Sequence, residues 1–167
     1  STWAVRALRA GDTLDVLPPE GRFTPRAPVP ADRPLHRVGF AAGSGITPLL
    51  SIIDSTLAAD PQARFTLVYG NRTLASVMFH ERLQDLKDRH PARLSLVHVL
   101  SRQAQEIALF NGHIDAAKLR ALLDGLLAPE DIAEAFVCGP EGMIDAAEHA
   151  LRAAGLPRER IHAERFV

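Results

Sequence analysis

Residues 40–50 read Phe-Ala-Ala-Gly-Ser-Gly-Ile-Thr-Pro-Leu-Leu, an apolar run that stops at two glycines and resumes with apolar residues at helical spacing. This order predicts a strand, a turn and a helix. Glycines let the backbone approach a diphosphate, and the free N–H groups of a helix start attract an anion. We expect Thr47 to be the N-cap residue and Pro48 to be the first helical residue. The two glycines are equally consistent with a turn that is tight for steric reasons alone.

Similar apolar runs recur along the rest of the chain. Runs of this length are typical of strands that are buried on both faces of a sheet. They lie at residues 38–42, 65–69, 94–100 and 135–138, and residues 160–166 are expected to form a last strand.

Segments between these strands carry apolar residues at the i, i+3, i+4, i+7 spacing of a helix with one buried face. The four faces are Ile46, Leu49, Leu50, Ile53 and Leu57; Phe79, Leu83 and Leu86 within residues 76–89; Leu119, Leu122, Leu123 and Leu126; and Ile144, Ala147 and Leu151. Alternating strands and helices predict an α/β fold, a doubly wound parallel sheet of about five strands with helices on both faces.

The first 34 residues follow another pattern. Residues 14–17 alternate as in a half-exposed strand, and residues 25–34 are rich in proline. We therefore predict that residues 1–34 are a short β remnant of a preceding domain plus a linker. Residues 35–167 are expected to form the α/β domain.

The composition excludes several classes of function. A chain of 167 residues with 47% hydrophobic residues suits one main core, and a net charge of -1 argues against a nucleic-acid or membrane partner. The single cysteine, Cys138, excludes an internal disulfide and a cysteine-ligated iron–sulfur cluster within these residues, and favours a cytoplasmic protein. The histidines lack metal-ligand spacing, so no metal site is predicted.

Two further loops follow predicted strands, where open α/β sheets bind ligands. Tyr-Gly-Asn-Arg-Thr at residues 69–73 follows the second strand, where a dinucleotide places its adenosine ribose. Arg72 can bind a 2′-phosphate but cannot accept a hydrogen bond from a 2′-hydroxyl. Ser101 and Arg102 follow the third strand and offer a second guanidinium. Each arginine by itself is more simply interpreted as a solvated charge on a loop. The two together favour NADPH as the bound dinucleotide, with NADH possible.

The fourth predicted strand ends in Cys-Gly-Pro-Glu-Gly-Met at residues 138–143. Gly139 leaves room for a flat ring, and no base neighbours Cys138 in sequence, so we expect Cys138 to be a wall of a nicotinamide pocket and not a nucleophile. Asn-Gly-His-Ile-Asp at residues 111–115 precedes the third helical face. Asp115 is expected to cap that helix, and His113 has no assigned role.

These motifs together resemble the nucleotide-binding domain of the ferredoxin–NADP reductase family, in order and spacing, over about residues 36–167. Residues 69–73, 78–83 and 99–102 are most similar to the reductases that serve phenylacetate degradation. The resemblance implies transfer of hydride from NADPH to FAD, and of electrons onward to an iron–sulfur domain or protein and an oxygenase component.

The resemblance also assigns roles to residues. It implies that Cys138 occupies the catalytic position, behind the nicotinamide. It also implies that Phe166 lies near the flavin ring. The implied cofactor contacts are Gly43, Ser44, Gly45, Ile46, Thr47, Pro48, Asn71, Arg72, Ser101, Arg102, Cys138, Gly139, Pro140, Glu141, Met143 and Phe166.

One departure from the family concerns the flavin. The family's Arg-x-Tyr-Ser flavin motif is missing because Tyr69 is the only tyrosine. We therefore expect FAD to be bound by a barrel domain of the full-length protein and not by this chain, of which residues 11–23 resemble the last barrel strands and residues 1–34 the barrel remnant plus a linker.

Two rival functions compete with this interpretation. A self-sufficient dehydrogenase with a Tyr-x-x-x-Lys pair is impossible, because Tyr69 stands alone and the only lysines are Lys87 and Lys118. A nucleotide-sensing or docking module without redox turnover stays an alternative.

Overall fold

The structure, a computed structural model, describes residues 2–18, 20–26 and 34–166. Its strands are β1 (His36–Ala42), β2 (Arg64–Asn71), β3 (Leu94–Leu100), β4 (Glu134–Cys138) and β5 (Ile161–Glu164). They form one parallel sheet in the order β3-β2-β1-β4-β5. Each strand overlaps a predicted one, so the predicted five-stranded parallel sheet is confirmed.

Helices cover both faces of this sheet. They are α2 (Ile46–Ala59), α3 (His80–Arg89), α4 (Ala116–Gly125) and α5 (Glu141–Ala153), whereas the short α1 (Thr2–Arg6) has no buried residue. Ile53 and Leu83 place α2 and α3 in one apolar cluster, while Leu122 and Ile144 place α4 and α5 in the cluster on the other face. The direction of winding therefore reverses between β1 and β4, and a crevice opens where their carboxyl ends diverge.

The helix after the glycines begins earlier than predicted. Residues Gly43–Gly45 form a 3-10 turn that runs directly into α2, so Ile46 is the first helical residue and Gly45 occupies the N-cap position without a side-chain cap. The Thr47 hydroxyl instead donates to the Ser44 carbonyl at 2.7 Å. The predicted cap at Thr47 and first position of Pro48 are wrong. Proline is tolerated in this first turn because its N–H would have no helical acceptor.

Two other helix boundaries differ for local reasons. Helix α3 begins at His80, not at residue 76, because Phe79 has a left-handed φ of 57°. The Phe79 side chain, which was predicted to belong to the buried face, is 46% exposed. Helix α4 ends at Gly125, which leaves Leu126 exposed, and Leu127 is buried in its place. The predicted cap is confirmed, because the Asp115 carboxylate accepts from the Lys118 N–H at 2.9 Å.

The strand predicted at residues 14–17 is wrong. These side chains are exposed, and within the described part of the chain no strand pairs with them. Alternation alone does not make a strand when no sheet edge lies beside it. Residues 27–33 of the predicted linker lie outside the described residues. The preceding segment does reach the domain, since the ring of Phe23 meets that of Phe136 edge-on at 5.6 Å.

A buried polar cluster lies at the amino edge of the sheet. The Glu134 carboxylate, 1% exposed, accepts from Arg37 Nε at 2.8 Å and from the Arg26 N–H at 2.7 Å. His162 Nε2 lies 3.0 Å from the same carboxylate. Removing one partner of such a buried ion pair costs about 3–5 kcal/mol. The cluster therefore fastens β1, β4 and β5 at the edge opposite the crevice.

The half-buried His36 makes the stability of the fold depend on pH. Burial, aided by the charge of Arg64, lowers the pKa of His36 from 6.5 to about 4. The unfolded chain therefore binds more protons than the folded protein between about pH 6.5 and pH 4, so stability falls as pH falls through this window. We expect wild type to lose about 1–3 kcal/mol more than His36→Gln between pH 7 and pH 4.5 in urea unfolding. Equal losses would contradict this assignment.

Candidate functional site

A cavity of about 830 Å³ opens at the carboxyl edge of the sheet. The carboxyl ends of the strands and the segments that follow them line it, namely residues 42–44 at the end of β1, 70–72 at the end of β2, 101 and 112–114 after β3, and 139–140 after β4. Ser76, Met143 and Phe166 complete the lining. The cavity therefore lies at the crevice that the sheet order predicts.

The cavity brings together part of the predicted site. The predicted residues that line it are Gly43, Ser44, Asn71, Arg72, Ser101, Gly139, Pro140, Met143 and Phe166. The predicted residues that do not line it are Gly45, Ile46, Thr47, Pro48, Arg102, Cys138 and Glu141. Sequence reasoning missed Ala42, Gly70, Ser76, Gly112, His113 and Ile114. Ala42 and Gly70 lie at the carboxyl ends of β1 and β2, and that position was a signal for both. Residues 112–114 lie well beyond the end of β3 in sequence, and the hydrogen bond from the Gly112 N–H to the Leu100 carbonyl at 2.9 Å returns them to it.

The two glycines of the turn serve different purposes. Gly43 has a φ of +52°, and a Cβ built on it would meet no atom within 4 Å, so its open side faces free space. A Cβ on Gly45 would lie 2.0 Å from the Cys138 carbonyl oxygen and 2.5 Å from its carbonyl carbon. Gly45 is thus glycine because the turn rests on the backbone of β4. The steric interpretation holds for Gly45, whereas Gly43 lines the cavity.

An exposed cation lies on the β2 side of the cavity. Hydrogen bonds from the Ser101 N–H to the Asn71 carbonyl at 3.0 Å, and from the Arg102 N–H to the Arg72 carbonyl at 2.8 Å, continue the strand pairing past the strand ends. The Arg72 guanidinium makes no hydrogen bond or ion pair with the described residues. It is therefore available to an anionic ligand.

Cys138 lies behind the cavity wall. Its side chain is fully buried, and burial, aided by the charge of Glu164, raises the pKa of its thiol to about 11. The thiol is therefore protonated at neutral pH, and a thiolate nucleophile is not available. Within the described ranges, no three His, Cys, Asp or Glu side chains are grouped so as to hold a metal ion. None of the helices there has the length and apolar character needed to cross a membrane.

The sheet order, the glycine turn and an arginine at the crevice that has no partner among the described residues define an α/β nucleotide-binding domain. Residues 40–149 match the family model described as "Oxidoreductase NAD-binding domain". The chain belongs to this family, and the predicted relationship to ferredoxin reductases is confirmed.

Individual relatives agree with this assignment. The chain is 45% identical over 166 residues to one of the subunits of 1,2-phenylacetyl-CoA epoxidase from Escherichia coli K12, a match that covers 99% of this chain and 46% of that protein. It is 40% identical to the ferredoxin reductase component of 3-ketosteroid-9-alpha-monooxygenase from Rhodococcus rhodochrous, over 99% of this chain and 42% of that protein. The chain thus spans less than half the length of these curated relatives.

A solved structure extends the similarity to the fold. The Amycolatopsis cytochrome P450 reductase GcoB superposes with a TM-score of 0.79 and is 27% identical. The match covers 98% of this chain and 47% of that chain. The match to the epoxidase subunit confirms the predicted similarity to the phenylacetate-type reductases. That prediction was based on residues 69–73, 78–83 and 99–102.

The contact of Gly45 with β4 generates a stability prediction. Gly45→Ala should cost about 3 kcal/mol or more, because the new methyl group overlaps backbone that cannot move as a side chain does. Gly43→Ala, two residues away, should cost only about 1–2 kcal/mol, because its methyl group has space and the cost is that of left-handed φ. Urea unfolding of both variants measures the difference. Equal losses would contradict the steric role of Gly45.

Burial of Cys138 generates a reactivity prediction. At pH 8 the native protein should react with the thiol reagent DTNB about 100-fold or more slower than the unfolded chain, because little thiolate is present and the sulfur is covered. The same protein in guanidinium chloride is the control. Fast labelling of the native protein would show that the thiol is accessible and ionised.

Proposed function

We propose that this chain is the NADPH-binding domain of a flavin-dependent oxidoreductase, with the nucleotide in the carboxyl-edge cavity. The free guanidinium of Arg72 carries this proposal, because a partnerless cation on the adenosine side of such a cavity, among the described residues, suits a 2′-phosphate. Arg102, whose N–H is bonded to the Arg72 carbonyl, adds positive charge nearby.

The cavity fits a dinucleotide in size and chemistry. Ligand pockets usually measure roughly 300–1,000 Å³, and this one measures about 830 Å³. The turn at Gly43 and Ser44 would receive the diphosphate beside the start of α2. Gly139, Pro140 and Met143 would contact the nicotinamide, with Cys138 behind them, and Phe166 would lie towards the flavin.

The chain's own part in the reaction is orientation. A bound flavin supplies the hydride acceptor, and the cavity residues hold the nicotinamide in position while covering one side of it. The protonated Cys138 thiol contributes an uncharged wall. We propose that FAD is bound by a separate barrel domain.

The relatives support a place in an electron-transfer chain. One is a subunit of an epoxidase and another is the ferredoxin reductase component of a monooxygenase. By analogy, electrons from NADPH would pass through FAD to a ferredoxin-type iron–sulfur domain or protein and then to an oxygenase component. We propose phenylacetate-type aromatic catabolism as the setting, in the cytoplasm. The division into residues 1–34 and 35–167 stays a prediction.

Titration with NADPH, NADH and ATP tests the proposal. We expect NADPH to bind tightest to wild type, and Arg72→Ala to weaken NADPH by about 1.5–3 kcal/mol, or roughly 10- to 150-fold in Kd, with little effect on NADH. Calorimetry or fluorescence of the nicotinamide provides the measurement. Arg158→Ala is the matched control, because Arg158 is an exposed arginine at the opposite edge, just before β5.

Other outcomes would overturn parts of this proposal. Equal losses for NADPH and NADH in Arg72→Ala would refute its contact with the 2′-phosphate. ATP binding as tight as NADPH binding would favour a nucleotide-sensing module. Rapid NADPH oxidation by the chain with added FAD would refute the separate barrel domain.

A further inference from the structure

The only tyrosine of the chain, Tyr69, reaches the glycine turn from inside the protein. Tyr69 lies in β2 opposite Ala41 of β1, and its side chain is wholly buried in the apolar cluster beneath α2. Its hydroxyl donates to the Gly43 carbonyl at 2.8 Å. A residue of the neighbouring strand therefore holds one specific peptide group of the turn that lines the cavity.

This hydrogen bond sets the direction of the next N–H group. In a planar trans peptide, the C=O and the following N–H point in opposite directions, and the described residues contain no cis peptide. The Gly43 carbonyl points inward, to Tyr69 and also to the Ile46 N–H. The Ser44 N–H must then point outward, on the side of the cavity that Gly43 and Ser44 line. It lies at the start of a helical turn, where no preceding carbonyl accepts it.

Gly43 gives this turn more conformational freedom than other residues would, so the Tyr69 hydroxyl adds a restraint to the bond from the Ile46 N–H. The Gly43 φ of +52° and the open surroundings of this residue leave room for the Gly43–Ser44 peptide to rotate. A rotated peptide would present its carbonyl oxygen to the cavity, where it would repel an anion. Burial raises the pKa of Tyr69, so its hydroxyl stays protonated and remains a donor at neutral pH.

We propose that Tyr69 is a positioning residue for the phosphate-binding turn: its hydroxyl holds the Gly43 carbonyl inward and so aims the Ser44 N–H at the diphosphate of a bound dinucleotide. The identity of the anion rests on the proposed function. A diphosphate is common to NADPH and NADH, so Tyr69 acts equally on both. This separates it from Arg72, which distinguishes between them.

Tyr69→Phe tests the proposal, because it removes the hydroxyl and leaves the ring in the core. We expect the Kd values of NADPH and NADH to rise by the same factor, about three- to tenfold, the usual value of one hydrogen bond. In the nucleotide-free protein, the Ser44 amide signal in a ¹⁵N–¹H spectrum should shift or broaden, because the Gly43 carbonyl then keeps only its hydrogen bond from the Ile46 N–H. Both readouts are taken at a temperature at which each variant is folded.

Thr56→Val is the matched control. The Thr56 hydroxyl is also buried and also hydrogen-bonded, accepting from Arg37 at 3.1 Å, but it lies at the amino edge of the sheet. Its loss should lower stability and leave both the Ser44 signal and the two Kd values unchanged. A purely structural role of Tyr69 would give this same pattern in Tyr69→Phe.

The outcomes separate this proposal from the proposed function. If wild type binds neither nucleotide, the proposed function fails. The Ser44 amide signals of nucleotide-free wild type and Tyr69→Phe can still be compared, and they test whether Tyr69 positions the turn. An unchanged Ser44 signal, unchanged affinities, or a loss confined to NADPH would each overturn the role of Tyr69. If Tyr69→Phe does not fold, 3-fluorotyrosine labels Tyr69 alone, and a ¹⁹F signal that does not move on binding of either nucleotide overturns it.

Discussion

The backbone contact between Gly45 and Cys138 is the constraint on which the rest of this structure depends. It joins the turn after β1 to the end of β4, the two strands between which the winding of the sheet reverses. Because the atoms in contact are backbone atoms, the spacing does not depend on side-chain conformers. This contact holds the start of α2 against the end of β4, beside the residues of the turn that line the cavity.

The amino and carboxyl ends of the strands have different roles, the first in stability and the second in ligand binding. At the amino edge, Glu134 is buried and bonded to Arg37, His162 and the backbone of Arg26. At the carboxyl edge, Arg72 is free among the described residues and lies beside a glycine turn. Charges that are already satisfied stabilise the fold, whereas charges without a partner are available to a ligand. Tyr69 links the two roles, since its ring packs in the core and its hydroxyl holds the turn.

Strands and buried helix faces were predictable because each carries its own period in sequence. Residues 94–100 were predicted without error, and the cap at Asp115 followed from one local hydrogen bond. Errors arose where a backbone state decided the boundary. The left-handed φ of Phe79 delays α3, and the 3-10 turn at Gly43–Gly45 advances α2 ahead of Thr47. Residues 14–17 alternate like a strand but lie beside no sheet edge in the described part of the chain.

The sequence by itself determined the class of fold, the order of the motifs and the family, because hydrophobic period and glycine, arginine and cysteine positions are local properties of the chain. Only the tertiary structure decided which of these residues share one cavity. In that structure Gly43 lines the cavity, whereas Gly45 packs on β4. Cys138 is buried behind the cavity wall. The tertiary structure also revealed the contact between Tyr69 and Gly43, which are 26 residues apart. Such contacts depend on how parallel strands lie side by side, and a distance along the chain does not contain that information.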